Sequence, residues 1–78
     1  MKIHVKCFAT LSETGHCDYK DSLISELDVN TDVNGLITQL GLPQDKVEII
    51  FVNGKRVDSS QILFDGDRVG LFPAVGGM

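Results

Sequence analysis

The hydrophobic period of this chain changes twice, and that pattern restricts its fold more than any other feature. Residues 2–8 alternate polar and apolar side chains, which is typical of a half-buried strand with one apolar face. Residues 12–18 are rich in turn formers, and residues 22–29 again carry apolar side chains at even spacing, which predicts a second strand after a long hairpin connection. The apolar positions of the two strands are Ile3, Val5 and Cys7, then Leu23, Leu27 and Val29.

A helical period follows over Val33–Leu40. Its apolar side chains fall on one stripe of an α-helix, at Val33, Leu36, Ile37 and Leu40. Either Asn30 or Thr31 can cap the first turn, and Asp32 favours the positive end of the helix dipole. Gly41 and the Leu-Pro that follows it supply a stop signal, so the sequence predicts one short helix lying on a sheet.

The second half of the chain returns to strand patterning. Val47–Val52 is a predicted strand, and Asn53-Gly54 favours positive φ at both positions, so that Lys55–Val57 returns antiparallel to it. Residues 58–67 form a link anchored by Ile62 and Leu63 and closed by a tight turn at residues 65–67. A last strand is predicted over residues 68–72.

The resulting order of elements is β-β-α-β-β-β, which predicts an α+β fold of the β-grasp (ubiquitin-like) type. We expect a mixed sheet of about five strands, with the first and last strands side by side in its middle and one main helix packed across one face. A chain of 78 residues buries a single modest core. We therefore expect one β-grasp domain over residues 1–72 and a flexible C-terminal tail over residues 73–78.

Charge and hydropathy exclude several classes of function. The net charge of −4, with seven scattered Lys and Arg residues, argues against nucleic acid as the main ligand. An acidic domain suits a basic partner surface, although the charge could serve solubility alone. No apolar stretch is long enough to cross a bilayer, and the N-terminal residues do not form a signal-peptide core, so a cytoplasmic location is the expectation.

No intrinsic catalytic site and no metal site are predicted. His16 and Cys17 are adjacent in sequence, and neighbouring side chains are seldom arranged as base and nucleophile, while His4 lies on a strand. Asp65 and Asp67 flank a glycine, but two carboxylates without a third ligand are usually a solvated turn.

The chain has two cysteines, whose spacing fits neither a zinc site nor a Cys-x-x-Cys redox motif. We expect Cys7 and Cys17 to be free thiols, with Cys7 acting as a small strand residue, and a disulfide or a sulfur-handling thiol is the alternative.

The C-terminus combines a stiff apolar segment with two glycines. A Gly-Gly end lacks Cβ atoms, so it can enter a narrow channel and leave its carbonyl open to attack from either side. Met78 follows Gly77 and keeps that carbonyl in a peptide bond.

Four motifs in order resemble the ubiquitin-like sulfur carriers of the ThiS/MoaD superfamily. The resemblance covers the whole chain and is greatest to the small subunit of molybdopterin synthase. It rests on Phe8-Ala9-x-Leu11-x-Glu13-x-Gly15, Val52-Asn53-Gly54, Leu63-x-Asp65-Gly66-Asp67-x-Val69, and Phe72-Pro73-x-Val75-x-Gly77.

The resemblance implies a protein substrate and not an enzyme. In this family an E1-like adenylating enzyme uses ATP and magnesium to adenylate the terminal glycine, and sulfide or a persulfide then displaces AMP to leave a thiocarboxylate. Carried over, Gly77 would bear the sulfur, Gly76 would be its flexible neighbour, and Pro73, Ala74 and Val75 would form the stem. Sulfur would pass to a sulfur-accepting synthase subunit, and no cofactor would be bound by the carrier itself.

Met78 departs from the family pattern, so removal by a peptidase is implied before Gly77 can react. The alternatives are a carrier that supplies sulfur to thiamine (thiazole) or cysteine biosynthesis, and a ubiquitin-like modifier or interaction module without sulfur chemistry.

Strand alternation predicts a partner-binding surface. If Val69 and Leu71 face the helix, Arg68 and Phe72 face outward, and Ile49 and Phe51 do so on the neighbouring strand. These four residues would form an apolar docking patch beside the tail, unless the register is reversed and Phe51 belongs to the core.

Overall fold

The computed structural model describes residues 1–8 and 23–73. Five strands form one sheet in the order β2-β1-β5-β3-β4, in which β1 and β5 are parallel and the other pairs are antiparallel. The strands are β1 (Lys2–Cys7), β2 (Leu23–Glu26), β3 (Val47–Val52), β4 (Lys55–Val57) and β5 (Arg68–Pro73), with helix α1 at Val33–Leu40 and a 3₁₀ turn at Gln44–Lys46. This is the predicted β-grasp fold, and β5 lies at its centre.

The strand register aligns the apolar side chains on the face that α1 covers. Val5 is opposite Val69, which is in turn opposite Val52, and Cys7, Leu71 and Ile50 form the next row. These side chains are buried together with three from the helix, Val33, Leu36 and Ile37. The predicted register is confirmed, because burial of alternate residues on three paired strands leaves the other residues on the opposite face.

The first turn of α1 is capped by Asp32 and not by Asn30 or Thr31. The Oδ1 atom of Asp32 accepts the Gly35 N–H at 2.9 Å, and its backbone is extended, as expected of a capping residue. Thr31 instead donates its hydroxyl to the Asp28 carbonyl at 2.7 Å, and Asn30 has a φ of 71° in the preceding turn. The cap therefore lies one or two residues later than predicted, since those side chains and backbones already serve the turn.

The end of α1 is as predicted. Gly41 has a φ of 76°, and its N–H donates to carbonyls of the last turn.

Two sequence predictions around the helix are wrong in detail. The second strand ends at Glu26, because Leu27 pairs with Met1 and residues 28 and 29 lie beyond the end of β1. Val29 is consequently 76% exposed, outside the core. In the link after β4, Leu63 is buried as predicted, whereas Ile62 is 38% exposed because it forms a bridge to Asp32 at the surface.

Cys7 is a buried strand residue, as predicted, but it is disulfide-bonded. The expectation of a free thiol is therefore wrong for Cys7. The second cysteine of the chain, Cys17, lies outside the described residues.

Side-chain hydrogen bonds connect the β3–β4 hairpin turn at Asn53-Gly54 with the turn at residues 65–67 that precedes β5. Asn53 and Gly54 both have positive φ, which confirms the predicted hairpin turn. The Asn53 side chain donates to Asp67 Oδ1 at 2.9 Å and accepts the Arg68 N–H at 3.0 Å. Asp65 accepts the Lys2 N–H at 2.7 Å, so the turn at residues 65–67 is fixed both to β1 and to the β3–β4 hairpin.

These contacts show how Asp65 and Asp67 are used. Their carboxylates accept hydrogen bonds from Lys2, Phe64 and Asn53. In the described ranges no group of three or more His, Cys, Asp or Glu side chains is placed to hold a metal ion. Among these same residues no helix is long and apolar enough to cross a membrane.

Candidate partner-binding face

The sheet has an open face, opposite the face covered by α1. Val69 and Leu71 of β5 are buried against the helix, so Arg68, Gly70 and Phe72 point the other way. On β3 the buried residues are Ile50 and Val52, which leaves Ile49 and Phe51 on the open face as well. The open face therefore brings together all four residues predicted from the sequence, which are Ile49, Phe51, Arg68 and Phe72. Their role in binding stays a prediction.

Three aromatic rings form a cluster on this face. Phe72 stacks on Phe8 with ring centroids 4.4 Å apart and an interplanar angle of 4°. It also meets Phe51 edge to face at 5.7 Å and 77°. Offset-stacked and edge-to-face pairs of this kind add about 0.5–1.5 kcal/mol each beyond their buried area. The cluster is held by its own contacts and is not a set of loose surface side chains.

Phe8 was missed as a member of this surface. In the sequence it was part of a motif, but it is also the next outward position of β1 after Lys6, so its alternation could have identified it. The Phe8 N–H donates to the Leu71 carbonyl at 3.0 Å, which continues the β1–β5 pairing by one residue and brings Phe8 level with Phe72.

Gly70 forms a depression between the rings. It lies opposite Lys6 on one side and Phe51 on the other. A Cβ atom added at Gly70 would lie 3.4 Å from Phe8 Cε2 and 3.5 Å from Phe72 Cε1. Because Gly70 has no side chain, a shallow groove runs over it; the groove is lined by His4, Lys6, Phe8, Phe51, Arg68 and Gly70, among others.

The groove also carries positive charge, from Arg68, which was predicted on this face, and from Lys6, which was not. His4 is opposite Arg68, and Lys6 follows on the same side of β1. In the part of the chain that the structure describes, the side chains of His4, Lys6 and Arg68 form no hydrogen bond or ion pair. The Asp58 carboxylate, after β4, does have partners. The Ser60 hydroxyl and backbone N–H both donate to it, and these hydrogen bonds lower the pKa of Asp58.

The tail begins at the aromatic end of the face. β5 extends through Pro73, one residue beyond the predicted strand, and Pro73 is opposite Val47. The stem and the reactive end predicted from the sequence, at Ala74, Val75, Gly76 and Gly77, lie outside the described residues together with Met78.

Comparison with solved structures agrees with this architecture. A Pyrococcus furiosus protein, named provisionally as molybdopterin converting factor subunit 1, is 28% identical, with a TM-score of 0.73 over 96% of this chain and 99% of that one. The H. volcanii small archaeal modifier protein 1 is 19% identical, with a TM-score of 0.73 over 95% and 98% of the two chains. This second similarity concerns the fold alone.

A third relative was solved as a complex. It is the Helicobacter pylori complex of subunits 1 and 2 of molybdopterin-converting factor, whose matching chain is 23% identical, with a TM-score of 0.62 over 100% of both chains. No curated protein sequence matches. The ThiS family model matches residues 5–77, nearly the whole chain, and the chain therefore belongs to the ThiS family.

Proposed function

We propose that this protein is a sulfur carrier that is adenylated at Gly77 and converted there to a thiocarboxylate, which donates sulfur in cofactor biosynthesis. The observation that carries the proposal is the extent of the family match. It runs from residue 5 through Gly77, so it includes both the sheet and the Gly-Gly pair, and it stops before Met78.

The chemistry explains why a carrier of this kind needs a partner enzyme. A carboxylate is a poor electrophile, so one Gly77 oxygen first attacks the α-phosphorus of ATP, held with magnesium by an E1-like adenylating enzyme, and pyrophosphate leaves. Hydrosulfide then adds to the acyl carbon, AMP leaves, and the proton of the hydrosulfide passes to solvent. The carrier supplies the acyl group, and its Gly76-Gly77 end lacks the Cβ atoms that would obstruct access to the carbonyl.

Met78 controls entry into this sequence. While Met78 follows Gly77, the Gly77 carbonyl belongs to an amide and has no oxygen free to attack ATP. A peptidase must therefore cleave the bond after Gly77, and trimming is the first step of the proposed pathway.

The pathway that we propose for the sulfur is molybdopterin synthesis. The similarity to the P. furiosus protein at 28% identity supports this choice over thiazole or cysteine synthesis. The H. pylori subunit 1 and subunit 2 complex shows how a relative of this fold is assembled. By analogy, a synthase subunit would receive sulfur from Gly77 of this chain.

Intact-mass analysis tests the proposal. The chain ending at Gly77 and the chain ending at Met78 are each incubated with the cognate adenylating enzyme, ATP, magnesium and sulfide. We expect only the trimmed chain to support pyrophosphate exchange and to gain about 16 Da, the difference between sulfur and oxygen in an acyl group. The trimmed chain with Gly77→Pro is the matched control and should react more slowly, because the proline ring adds atoms beside the carbonyl that glycine leaves open.

Each other result has a definite meaning. Equal reaction of both chains would show that Met78 is not a block. No reaction of either chain would refute the carrier proposal, and recovery of Gly77 in isopeptide bonds to lysine would establish a ubiquitin-like modifier instead. Transfer of the sulfur to a thiazole synthase, and not to a molybdopterin synthase subunit, would move the carrier to the thiamine pathway.

A further inference from the structure

The charge of the open face is opposite to the net charge of the protein. The chain carries a net charge of −4, yet among the described residues the outward positions of β1 and the start of β5 carry the cations Lys2, Lys6 and Arg68, with His4 beside Arg68. Glu26 of the neighbouring strand β2 lies opposite Lys2 at the edge of the sheet. The described part of this face does not share the acidic character of the chain, and the expectation that an acidic domain suits a basic partner stays a prediction.

The reason is that many of the carboxylates serve the protein's own backbone. Asp32 caps α1, Asp58 accepts from Ser60, and Asp65 and Asp67 accept backbone N–H groups in the turn before β5. These four carboxylates accept hydrogen bonds within turns and a helix cap, so their acceptor oxygens already have partners inside the protein. The cations of the open face have no such internal role, because Lys6 and Arg68 make no side-chain bonds within the described residues.

Charge and apolar surface are arranged in consecutive rows along the groove. Arg68 and His4 form the row nearest the turns, Lys6 flanks Gly70 in the next row, and the rings of Phe8 and Phe72 close the end next to the tail. Two residues along a strand span about 7 Å, so the charged row lies about 7 Å from the depression at Gly70. A complementary surface needs carboxylates at that distance from an apolar side chain.

We infer that the open face binds an acidic protein surface on which carboxylates flank one aliphatic side chain. The aliphatic side chain packs over Gly70 between the rings, and the carboxylates meet Lys6, Arg68 and His4. Under the proposed function, on which this assignment rests, the acidic surface belongs to the adenylating enzyme. Complementary charge raises the association rate and disfavours partners with basic surfaces, so the cations select the partner while the rings supply apolar contact.

Reversing the charge of Lys6 or of Arg68 measures how much each cation contributes to recognition of the adenylating enzyme. The trimmed chain is compared with its Lys6→Glu and Arg68→Glu variants in pyrophosphate exchange with the cognate adenylating enzyme at low salt. Lys46→Glu is the matched control, because Lys46 is an exposed lysine in the 3₁₀ turn and its reversal changes the net charge equally. Arg68→Lys keeps the charge and should behave almost as the unaltered chain.

We expect the two open-face reversals to raise KM about tenfold or more, with little change in kcat and with a difference that shrinks as salt rises. Unchanged KM in both reversals, or an equal rise for Lys46→Glu, would overturn the inference while leaving adenylation of Gly77 intact. Thermal unfolding of each variant checks that the fold is kept, which we expect because Arg68 is exposed and Lys6 makes no side-chain bond to any residue in 1–8 or 23–73.

A peptide probe tests the face without the enzyme. Amide chemical shifts of the protein are recorded with a peptide of four glutamates around a central leucine, and with the matched peptide in which glutamine replaces glutamate. We expect the acidic peptide alone to shift the amides of Lys6, Phe8, Arg68 and Gly70, and Arg68→Glu to abolish the shifts. Equal shifts from both peptides, shifts elsewhere, or none at millimolar peptide would overturn the inference. A positive result with no adenylation of the trimmed chain would refute the carrier proposal and leave the acidic-ligand face established.

Discussion

Replacing Gly70 with alanine should separate the stability of the sheet from the binding capacity of its open face. The φ of Gly70 lies outside the positive region, so alanine can adopt the same strand backbone. The new Cβ would lie 3.4 Å from Phe8 and 3.5 Å from Phe72, which is van der Waals contact without overlap. Glycine inside a strand is less favourable than alanine by roughly 0.5–1 kcal/mol, so Gly70→Ala should raise the free energy of unfolding by up to that amount.

The affinity of Gly70→Ala for the adenylating enzyme should fall, although its stability rises. The added methyl group fills the depression over which we place the partner's aliphatic side chain, and overpacking of a fitted apolar contact typically costs about 1–3 kcal/mol. That range corresponds to a Kd for the adenylating enzyme that is roughly 5- to 150-fold higher. A variant that is more stable and yet binds more weakly cannot be explained by partial unfolding.

Denaturant unfolding and titration calorimetry provide the two measurements. Val29→Ile is the control, because it also adds one carbon, at a site that is 76% exposed and away from the open face. If Gly70→Ala bound the enzyme as tightly as the unaltered protein, the depression would not belong to the interface. If it unfolded more easily by more than about 1 kcal/mol, the rings could not tolerate a Cβ and the packing argument would fail.

Three further predictions use denaturant unfolding, and the first of them also uses titration calorimetry. Phe51→Ala and Phe72→Ala should each weaken enzyme binding by about 1–3 kcal/mol. Phe72→Ala should lower the free energy of unfolding more than Phe51→Ala does, because it removes two ring contacts and not one. Equal losses of stability and binding in both variants would place the rings in the core. Gly35→Ala should destabilise the protein despite the better helix propensity of alanine, because its Cβ would lie 2.6 Å from Thr31 Cγ2. The loss of stability should disappear in a Thr31→Ser background, which lacks that methyl group. A loss that persists in this background would contradict the clash. Asp32→Ala should lower the free energy of unfolding by about 0.5–2 kcal/mol through loss of the helix cap. An unchanged free energy of unfolding in urea would show that the hydrogen bond from Gly35 to Asp32 contributes nothing.

The elements predicted correctly are those whose signals are local. The helix at Val33–Leu40 matches its prediction at both ends, since the apolar stripe, the flanking turn and the glycine stop all lie within one short stretch. The Asn53-Gly54 turn is equally local, because positive φ at two successive positions is a property of those residues. Alternation then identifies the outward residues of β3 and β5 once their buried partners are assigned.

The errors arise where a residue's role depends on a contact that hydrophobic periodicity does not record. Val29 continues the alternation of the second strand, but β1 ends before reaching it, and sequence periodicity does not record the length of a partner strand. Asp32 becomes the cap because Thr31 is already engaged with Asp28. The disulfide of Cys7 likewise depends on a spatial relation that the spacing of two cysteines does not reveal.

The placement of the tail connects the open face to the proposed chemistry. β5 is paired on both sides, with β1 and β3, so the strand that leads into the tail is held by a hydrogen-bonded ladder along each edge. Phe72 lies in the aromatic cluster and Pro73 is the next residue, so a partner that packs on the rings also fixes the point from which residues 74–77 extend. The five residues from Pro73 to Gly77 span at most about 18 Å when fully extended. The adenylation site of the proposed partner must therefore lie within about that distance of its contact with Phe72.

Lengthening the tail by inserting two glycines after Pro73 should lower kcat, because Gly77 would no longer be held at the matching distance. The affinity of the open face for the enzyme should be unchanged, because the charges and rings that bind are untouched. A loss of affinity in that variant would show that the tail, and not the sheet, provides the recognition.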